Sequence, residues 1–186
     1  AQQMENIPLD QANRGYARYS FGSQVHHPEW AQLIDNSSIL PILETIWNSS
    51  DFVCSGAGGD YSTPGAEIQP LHSDLGDFFN DSLGITTVKD VPTPFIVVNY
   101  LMVEFTQING ATRFVPGTHR TRTPIPTLEE EPERFKKSFI SAPAGTAIVR
   151  DVRCWHGGTP NVSNQIRPML GIGYLSLIHI SEPTRL

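Results

Sequence analysis

The sequence predicts an all-β core with flanking helices, arranged as a β-sandwich or jelly roll. Glycine and proline number 15 each in 186 residues, a content that suits short strands joined by turns better than a helical bundle. Only one stretch has apolar residues at helical spacing, and short β-branched and aromatic runs follow it. The length fits one domain with a hydrophobic core of its own.

The one predicted helix covers residues 38–48, where apolar side chains recur at helical spacing, at Leu40, Leu43, Ile46 and Trp47. After it the pattern changes to short runs typical of strands. These predicted strands are 51–54, 66–71, 94–105, 112–115, 138–140, 146–150 and 167–174. The run over 94–105, with the sequence PFIVVNYLMVEF, is the strongest of them because β-branched and aromatic residues dominate it.

Two segments are interpreted as irregular. The glycine-rich run 56–59 (GAGG) is not followed by a helical pattern, so we expect a flexible turn rather than a phosphate-binding loop. The segment 120–137 is charged and rich in proline, which predicts a surface excursion that could act as a lid. Neither segment divides the chain into separate domains.

Charge and composition exclude several classes of function. The net charge of −6 disfavours nucleic acid or an anionic membrane surface as the main partner. No apolar run approaches the roughly 20 residues that a membrane span needs, and two cysteines are too few for a disulfide scaffold. No signal-peptide pattern is present. We therefore expect a cytoplasmic protein that acts on a small molecule.

The most informative cluster is a histidine and an aspartate at alternate positions, His72 and Asp74. On an extended backbone, residues two apart point to the same side, so an imidazole and a carboxylate would face one point. A second, distant histidine completes a facial triad for ferrous iron, and His156 in the sequence CWHGG is the obvious candidate. The pair alone is a weak signal, since it is equally compatible with a solvated loop histidine beside an acid.

Two longer blocks strengthen this interpretation. Residues 109–119 read NGATRFVPGTH, and residues 155–168 read WHGGTPNVSNQIRP, which places Arg167 at the opening of a strand. Together with the histidine–aspartate pair, and in this order, they resemble the phytanoyl-CoA dioxygenase family of iron(II)- and 2-oxoglutarate-dependent oxygenases. The resemblance covers residues 39–174. The alternative is a jelly-roll protein with accidental metal-like residues.

The resemblance implies a cupin-like double-stranded β-helix, a jelly roll that binds iron between its two sheets. Transferred position by position, it makes His72, Asp74 and His156 the catalytic iron ligands. It also implies that 2-oxoglutarate serves as co-substrate and that dioxygen is the oxidant. The reaction would hydroxylate a small organic substrate and release succinate and carbon dioxide.

The same resemblance implies the co-substrate contacts. Arg167 would pair with the distal carboxylate of 2-oxoglutarate, and a guanidinium does offer a planar, bidentate fork for such a group. Gln69 and Thr112 match positions that often contact the co-substrate in family members. Arg150 and Arg153 are competing cations, but neither has the family spacing from the second histidine.

Three alternative functions remain open at this stage. Related halogenases lack the metal-binding carboxylate, so the presence of Asp74 favours hydroxylation. A non-catalytic cupin-like binding module and a metal-dependent isomerase on the same barrel are the other two. Neither of these needs 2-oxoglutarate, so the role of Arg167 discriminates between them and a dioxygenase.

The end of the chain has an unusual sequence. Residues 175–185 read LSLIHISEPTR, which matches the forward translation of a sequencing adapter used in library preparation. We interpret 175–186 as adapter read-through and exclude His179 as a ligand. The expected organisation is therefore a single oxygenase domain over 1–174, which we expect to be a fragment of a longer protein.

Overall fold

The computed structural model describes residues 14–76 and 83–177. Its strands are β1 (Arg18–Ser20), β2 (Phe52–Ser62), β3 (Phe95–Leu101), β4 (Thr112–Phe114), β5 (Ala147–Asp151), β6 (His156–Gly158) and β7 (Arg167–Ser176). Its α-helices are α1 (Pro28–Ile34), α2 (Leu40–Trp47) and α3 (Glu133–Lys136), and Thr118–Arg120 forms a 3-10 turn. None of these helices, within the described ranges, is long and apolar enough to cross a membrane.

The strands form two antiparallel sheets. A five-stranded sheet has the order β1-β2-β7-β3-β5, and β4 pairs with β6 in a second, two-stranded sheet. One face of the large sheet packs against α2 to form the main core, and the opposite face lines a cavity together with the small sheet. This mostly β architecture with few helices agrees with the predicted fold class.

The alternation of side chains along β3 explains these two faces. Ile96 and Val98 are buried in the core beneath α2, whereas Val97 and Asn99 line the cavity. Successive side chains of a strand point to opposite sides of a sheet, so one strand serves both purposes. Leu43 of α2 is fully buried against the core face, as the helical spacing predicts.

The glycine-rich run is where the sequence prediction was wrong. Residues 56–59 lie within β2, not in a flexible turn. A Cβ atom added at Gly58 would collide with the carbonyl oxygen of Gly22, and one at Gly59 would collide with the ring of Phe21. The glycines therefore allow the segment after β1 to lie directly against the strand.

Two predicted strands are also absent from the described backbone. Over 66–71 the chain forms no regular strand and makes irregular contacts. The Gln69 N–H donates to the Gly158 carbonyl at 2.9 Å, and Arg113 Nη2 donates to the Gln69 carbonyl at 2.7 Å. Residues 138–140 form one isolated bridge, between Phe139 and Arg113. Side chains and single bridges replace a continuous ladder in both segments. In addition, the sequence patterns predict none of α1, α3, β1 and β6.

The surface excursion over 120–137 carries α3 and is fixed to the body of the protein by a buried ion pair. Glu131 and Arg113 form an ion pair at 3.0 Å, and both side chains are completely buried. This contact fastens the segment to β4, so at Glu131 the excursion is part of the packed structure.

The last described strand extends slightly beyond the predicted end of native sequence. β7 continues past Tyr174 to Ser176, and Leu175 is opposite Val53 of β2 and Phe95 of β3. Apolar, β-prone residues can extend a strand in this way whatever their origin. His179 lies outside the described residues, and the interpretation of 175–186 stays a prediction.

Candidate active site

The backbone brings the two distant histidines side by side. The His72 N–H donates to the His156 carbonyl at 2.9 Å, and the His156 N–H donates to the His72 carbonyl at 3.0 Å. The Asp74 N–H donates to the Val152 carbonyl at 3.0 Å. These three bonds fix the main chain of the predicted triad on one side of the cavity.

The side chains of the triad converge. Asp74 Oδ1 lies 3.4 Å from His156 Nε2 and 3.9 Å from His72 Nε2, and one ligand atom from each residue lies within 4.8 Å of the others. Each ring uses its other nitrogen on a carbonyl: His72 Nδ1 contacts Pro70 at 3.2 Å, and His156 Nδ1 contacts Cys154 at 2.9 Å. If Nδ1 donates in both rings, the two Nε2 lone pairs are free for a metal ion.

The electrostatics of the site favour the protonation states that a metal needs. Burial raises the pKa of Asp74, but the hydrogen bond with His156 and the Arg150 charge outweigh burial, so its pKa lies well below the ordinary value. Burial, followed by the neighbouring His156, lowers the pKa of His72. An ionised carboxylate beside a neutral imidazole is the form in which these groups bind metal.

A cavity of about 620 Å³ contains all the residues that the sequence analysis singled out for the site. They are His72, Asp74, His156, Arg167, Gln69 and Thr112. The predicted iron ligands and the predicted 2-oxoglutarate contacts therefore share one space between the two sheets. Their individual roles stay predictions.

Arg167, the first residue of β7, is the most unusual group in this cavity. Only 3% of the residue is exposed, and its Nε and Nη1 have no hydrogen-bond partner within the described chain. Its guanidinium lies 4.8 Å from the centre of the Phe105 ring. Burial, followed by the charge of Arg18, lowers the pKa of Arg167 to about 9. A buried cation with unused donors fits an anionic ligand such as a carboxylate.

Sequence reasoning missed a second buried arginine in the same cavity, Arg18 of β1. Its Nη2 donates to the carbonyls of Glu67 at 2.8 Å and Thr159 at 2.6 Å. Burial, followed by the charge of Arg113, lowers its pKa to about 10. Arg18 precedes the region of resemblance, and no motif around it in the sequence distinguishes it from a surface arginine.

Gln69 and Thr112 line the cavity but also have partners within the protein. Gln69 Oε1 accepts from the Gly158 N–H at 3.1 Å, and its Nε2 donates to the Arg14 carbonyl at 3.1 Å. Thr112 is buried, with its hydroxyl 3.8 Å from the Met169 sulfur. Both could contact a co-substrate only by adding to or exchanging these bonds.

The two competing arginines have other partners. Arg153 is fully buried and contacts Asp151, with Nη2 at 2.6 Å from Oδ2. Arg150 lines the cavity, but its Nη2 lies 2.5 Å from Oδ2 of Asp74 and its Nε donates to Asn99 Oδ1 at 3.1 Å. Of the three candidate cations, Arg167 is therefore the one that forms no ion pair with a side chain among the described residues, and its Nε and Nη1 have no hydrogen-bond partner there.

Two imidazoles and a carboxylate inside a jelly-roll cavity form the donor set typical of non-heme iron oxygenases. The sequence model of the family described as Phytanoyl-CoA dioxygenase (PhyH) matches residues 13–169. The chain therefore belongs to the phytanoyl-CoA dioxygenase family, in agreement with the resemblance found in its motifs.

Curated relatives of the chain include dioxygenases of fungi. The chain is 25% identical over 162 residues to dioxygenase af480 of Aspergillus fumigatus, a match that covers 83% of this chain and 47% of the relative. It is 30% identical over 155 residues to dioxygenase cdmA of Talaromyces verruculosus, a match that covers 79% of this chain and 47% of that relative. The chain thus spans about half the length of these relatives.

Solved structures with the same fold include EctD from S. alaskensis. This protein superposes with a TM-score of 0.65 at 18% identity, over 92% of this chain and 60% of EctD. One EctD structure contains 2-oxoglutarate and 5-hydroxyectoine, and another contains iron. At this identity the similarity shows the fold, which is the predicted cupin-like jelly roll.

Proposed function

We propose that this protein is an iron(II)- and 2-oxoglutarate-dependent dioxygenase that hydroxylates a small organic substrate. The observation that carries the proposal is the buried, partly unpaired Arg167 in the same cavity as the two histidines and the aspartate. A metal triad alone fits many reactions, but a metal triad with a free buried cation fits a chelating dicarboxylate. The family membership and the dioxygenase names of its fungal relatives support the same activity.

In this proposal the six cavity residues that the sequence analysis singled out each have a defined role. His72, Asp74 and His156 hold iron, and Arg167 binds the distal carboxylate of 2-oxoglutarate, with Gln69 and Thr112 as further co-substrate contacts. Bound iron with 2-oxoglutarate supplies dioxygen activation, coupled to release of succinate and carbon dioxide.

The protein itself contributes orientation and shielding. The Phe114 ring stacks on His156 with centroids 6.0 Å apart and an interplanar angle of 18°, which supports the ring of a proposed ligand. His156 is buried, whereas Asp74 and His72 face the more open part of the cavity. A site that is closed on one side and open on the other allows substrate to enter while limiting access of water.

The alternatives give no role to Arg167. A binding module or an isomerase on the same barrel needs no 2-oxoglutarate. In such a protein, a desolvated Arg167 with two unused donors would lower the stability of the fold and would have no function. The presence of Asp74 beside both histidines likewise favours hydroxylation over halogenation. EctD, with the same fold, binds 2-oxoglutarate together with a small molecule, which supports a small-molecule substrate here.

A cytoplasmic location is part of the proposal. Both cysteines, Cys54 and Cys154, are free thiols, which is the state that a reducing compartment maintains. Fractionation of cells that express the tagged protein tests this point. Recovery in a secreted or membrane fraction would contradict it.

Succinate formation tests the activity directly. The purified chain is incubated with ferrous iron, 2-oxoglutarate and dioxygen, with and without a panel of small metabolites, and succinate is measured against reactions without each component. At a 2-oxoglutarate concentration near the Kd of the unmodified chain, Arg167→Met should form little succinate. The exposed Arg122, which is paired with Asp90 at 2.6 Å, provides the matched control Arg122→Met. Succinate formation that does not depend on 2-oxoglutarate or on Arg167 would refute the proposal.

A further inference from the structure

Arg150 connects the proposed carboxylate ligand to the centre of the large sheet. Its side chain is only 10% exposed, and Nη2 lies 2.5 Å from Asp74 Oδ2. Its Nε donates to Asn99 Oδ1 at 3.1 Å, and Asn99 Nδ2 donates to the Leu170 carbonyl at 3.2 Å. Three consecutive hydrogen bonds therefore run from the backbone of β7, through side chains of β3 and β5, to the carboxylate.

Asp74 needs such support because it lies outside every strand. Its main-chain N–H donates to the Val152 carbonyl at 3.0 Å, and its side chain is 36% exposed. The two oxygens of a carboxylate are chemically equivalent, so rotation of the group would exchange them. With Arg150 on Oδ2, it is Oδ1 that faces the two histidines, 3.4 Å from His156 Nε2 and 3.9 Å from His72 Nε2.

We propose that Arg150 is a positioning residue that holds Oδ2 of Asp74, so that the carboxylate binds the metal through Oδ1 alone. This inference rests on the proposed function. A carboxylate that used both oxygens would occupy an additional coordination position. Single-oxygen binding keeps free the positions that a chelating co-substrate and dioxygen require.

A second contact supports the same role. The Arg150 guanidinium lies 6.0 Å from the centre of the Phe114 ring, and that ring stacks on His156. Arg150 thus pairs with the carboxylate and lies over the aromatic ring that stacks on the buried histidine. The positive charge of Arg150 would by itself repel a metal ion bound to Asp74. Arg150 therefore favours metal binding through the orientation that it gives to the carboxylate.

Substitutions can separate geometry from charge. Arg150→Lys keeps the charge, but lysine has a single ammonium group in place of the guanidinium fork. It therefore cannot reproduce the simultaneous contacts to Asn99 and Asp74. Arg150→Met removes both charge and contacts. Asn99→Ala leaves the arginine in place but removes its anchor, and Arg122→Met is the control for loss of a surface arginine.

The probe is Co(II) added to the metal-free, full 186-residue chain, with circular dichroism used to select folded variants. Calorimetry gives the Co(II) Kd, and visible absorption reports the coordination of the bound ion. We expect Arg150→Lys to raise the Kd by about 10- to 100-fold, the usual effect of losing a group that orients a ligand, and to change the absorption spectrum. Asn99→Ala should also raise the Co(II) Kd and change the absorption spectrum in the same way. Arg122→Met should have the Kd and spectrum of the unmodified chain.

Two results would overturn the inference, and they are distinct from failure of the proposed function. Wild-type Kd and spectrum in both Arg150→Lys and Asn99→Ala would show that the carboxylate needs no positioning. A second contrary result is an Arg150→Lys variant with the Kd and spectrum of the unmodified chain, together with an Arg150→Met variant that binds Co(II) more tightly. Arg150 would then act only through its charge and would not position the carboxylate. If the unmodified chain bound no Co(II), the proposed metal site would fail, and this inference with it.

Discussion

Replacement of Arg167 by methionine separates ligand binding from stability. Methionine keeps an unbranched, apolar side chain, but the charge and all donors of the guanidinium are lost. In the structure, Nε and Nη1 of Arg167 are buried without partners. Two new bonds between charged groups are therefore available to a carboxylate, each worth about 1.5–3 kcal/mol.

The lower bounds of these two bonds sum to about 3 kcal/mol, and about 1.4 kcal/mol corresponds to a tenfold change in Kd. We therefore expect Arg167→Met to raise the Kd of 2-oxoglutarate by about 100-fold or more. Isothermal titration of 2-oxoglutarate into the Ni(II)-loaded chain measures this Kd. The Kd of the metal itself should stay unchanged, because Arg167 does not contact the triad.

The same substitution should not destabilise the protein without ligand. It removes a buried cation whose hydrogen bonds are incomplete, and apolar replacements of buried charges are often neutral or stabilising. The expected Tm without 2-oxoglutarate is therefore equal to or above that of the wild type, whereas the increase in Tm on adding 2-oxoglutarate should disappear. A variant that binds 2-oxoglutarate with wild-type affinity would refute the assignment of Arg167.

Three further predictions concern stability. Leu43→Ala should lower the free energy of unfolding by about 2–5 kcal/mol in urea titrations, because it opens a cavity beneath α2 in the main core. Glu131→Gln should cost about 3–5 kcal/mol and expose the surface excursion to limited proteolysis, because it leaves the buried charge of Arg113 unpaired. Burial raises the pKa of Asp151, but hydrogen bonds from Arg153 outweigh burial and hold that pKa below 3.8. The stabilisation from this pair is therefore present above pH 3.8 and is lost as the pH falls through the lower, folded-state value, so Asp151→Asn should lower stability near neutral pH and lower it less in acid.

Each of these predictions has a clear contrary result. A Leu43→Ala variant with wild-type stability would mean that α2 does not pack on the sheet as described. Unchanged proteolysis of Glu131→Gln would show that the buried pair does not fasten the excursion. A difference between Asp151→Asn and wild type that stays constant down to strongly acidic pH would contradict the lowered pKa of Asp151.

The sequence was most informative where chemistry restricts the choice of residue. His72, Asp74 and His156 could be singled out because few other side chains bind iron, and the structure places all three on one side of a single cavity. Arg167 could be found because the number of residues between it and His156 in the sequence matches a family pattern. The same reasoning missed Arg18, whose importance comes from burial beside Arg167 and not from any local motif.

Strand prediction failed where hydrogen bonding depends on distant partners. The glycine-rich run in β2 has the composition of a turn, and only the close approach of Gly22 and Phe21 explains why glycine is required within a strand. The segment 66–71 has the composition of a strand, yet Arg113 and single backbone bonds take the place of a neighbouring strand. Neither outcome can be deduced from residues close in sequence.

The order of strands in the large sheet has a consequence for synthesis of the protein. β7 lies between β2 and β3, although it is made after both of them. Until the ribosome has released residues 167–176, the edges of β2 and β3 that face each other have no partner, and Arg167 has not joined the cavity. The nascent chain therefore has exposed, unpaired strand edges during this period, and such edges can pair with other chains and aggregate. Protection by chaperones would matter most at this stage of synthesis.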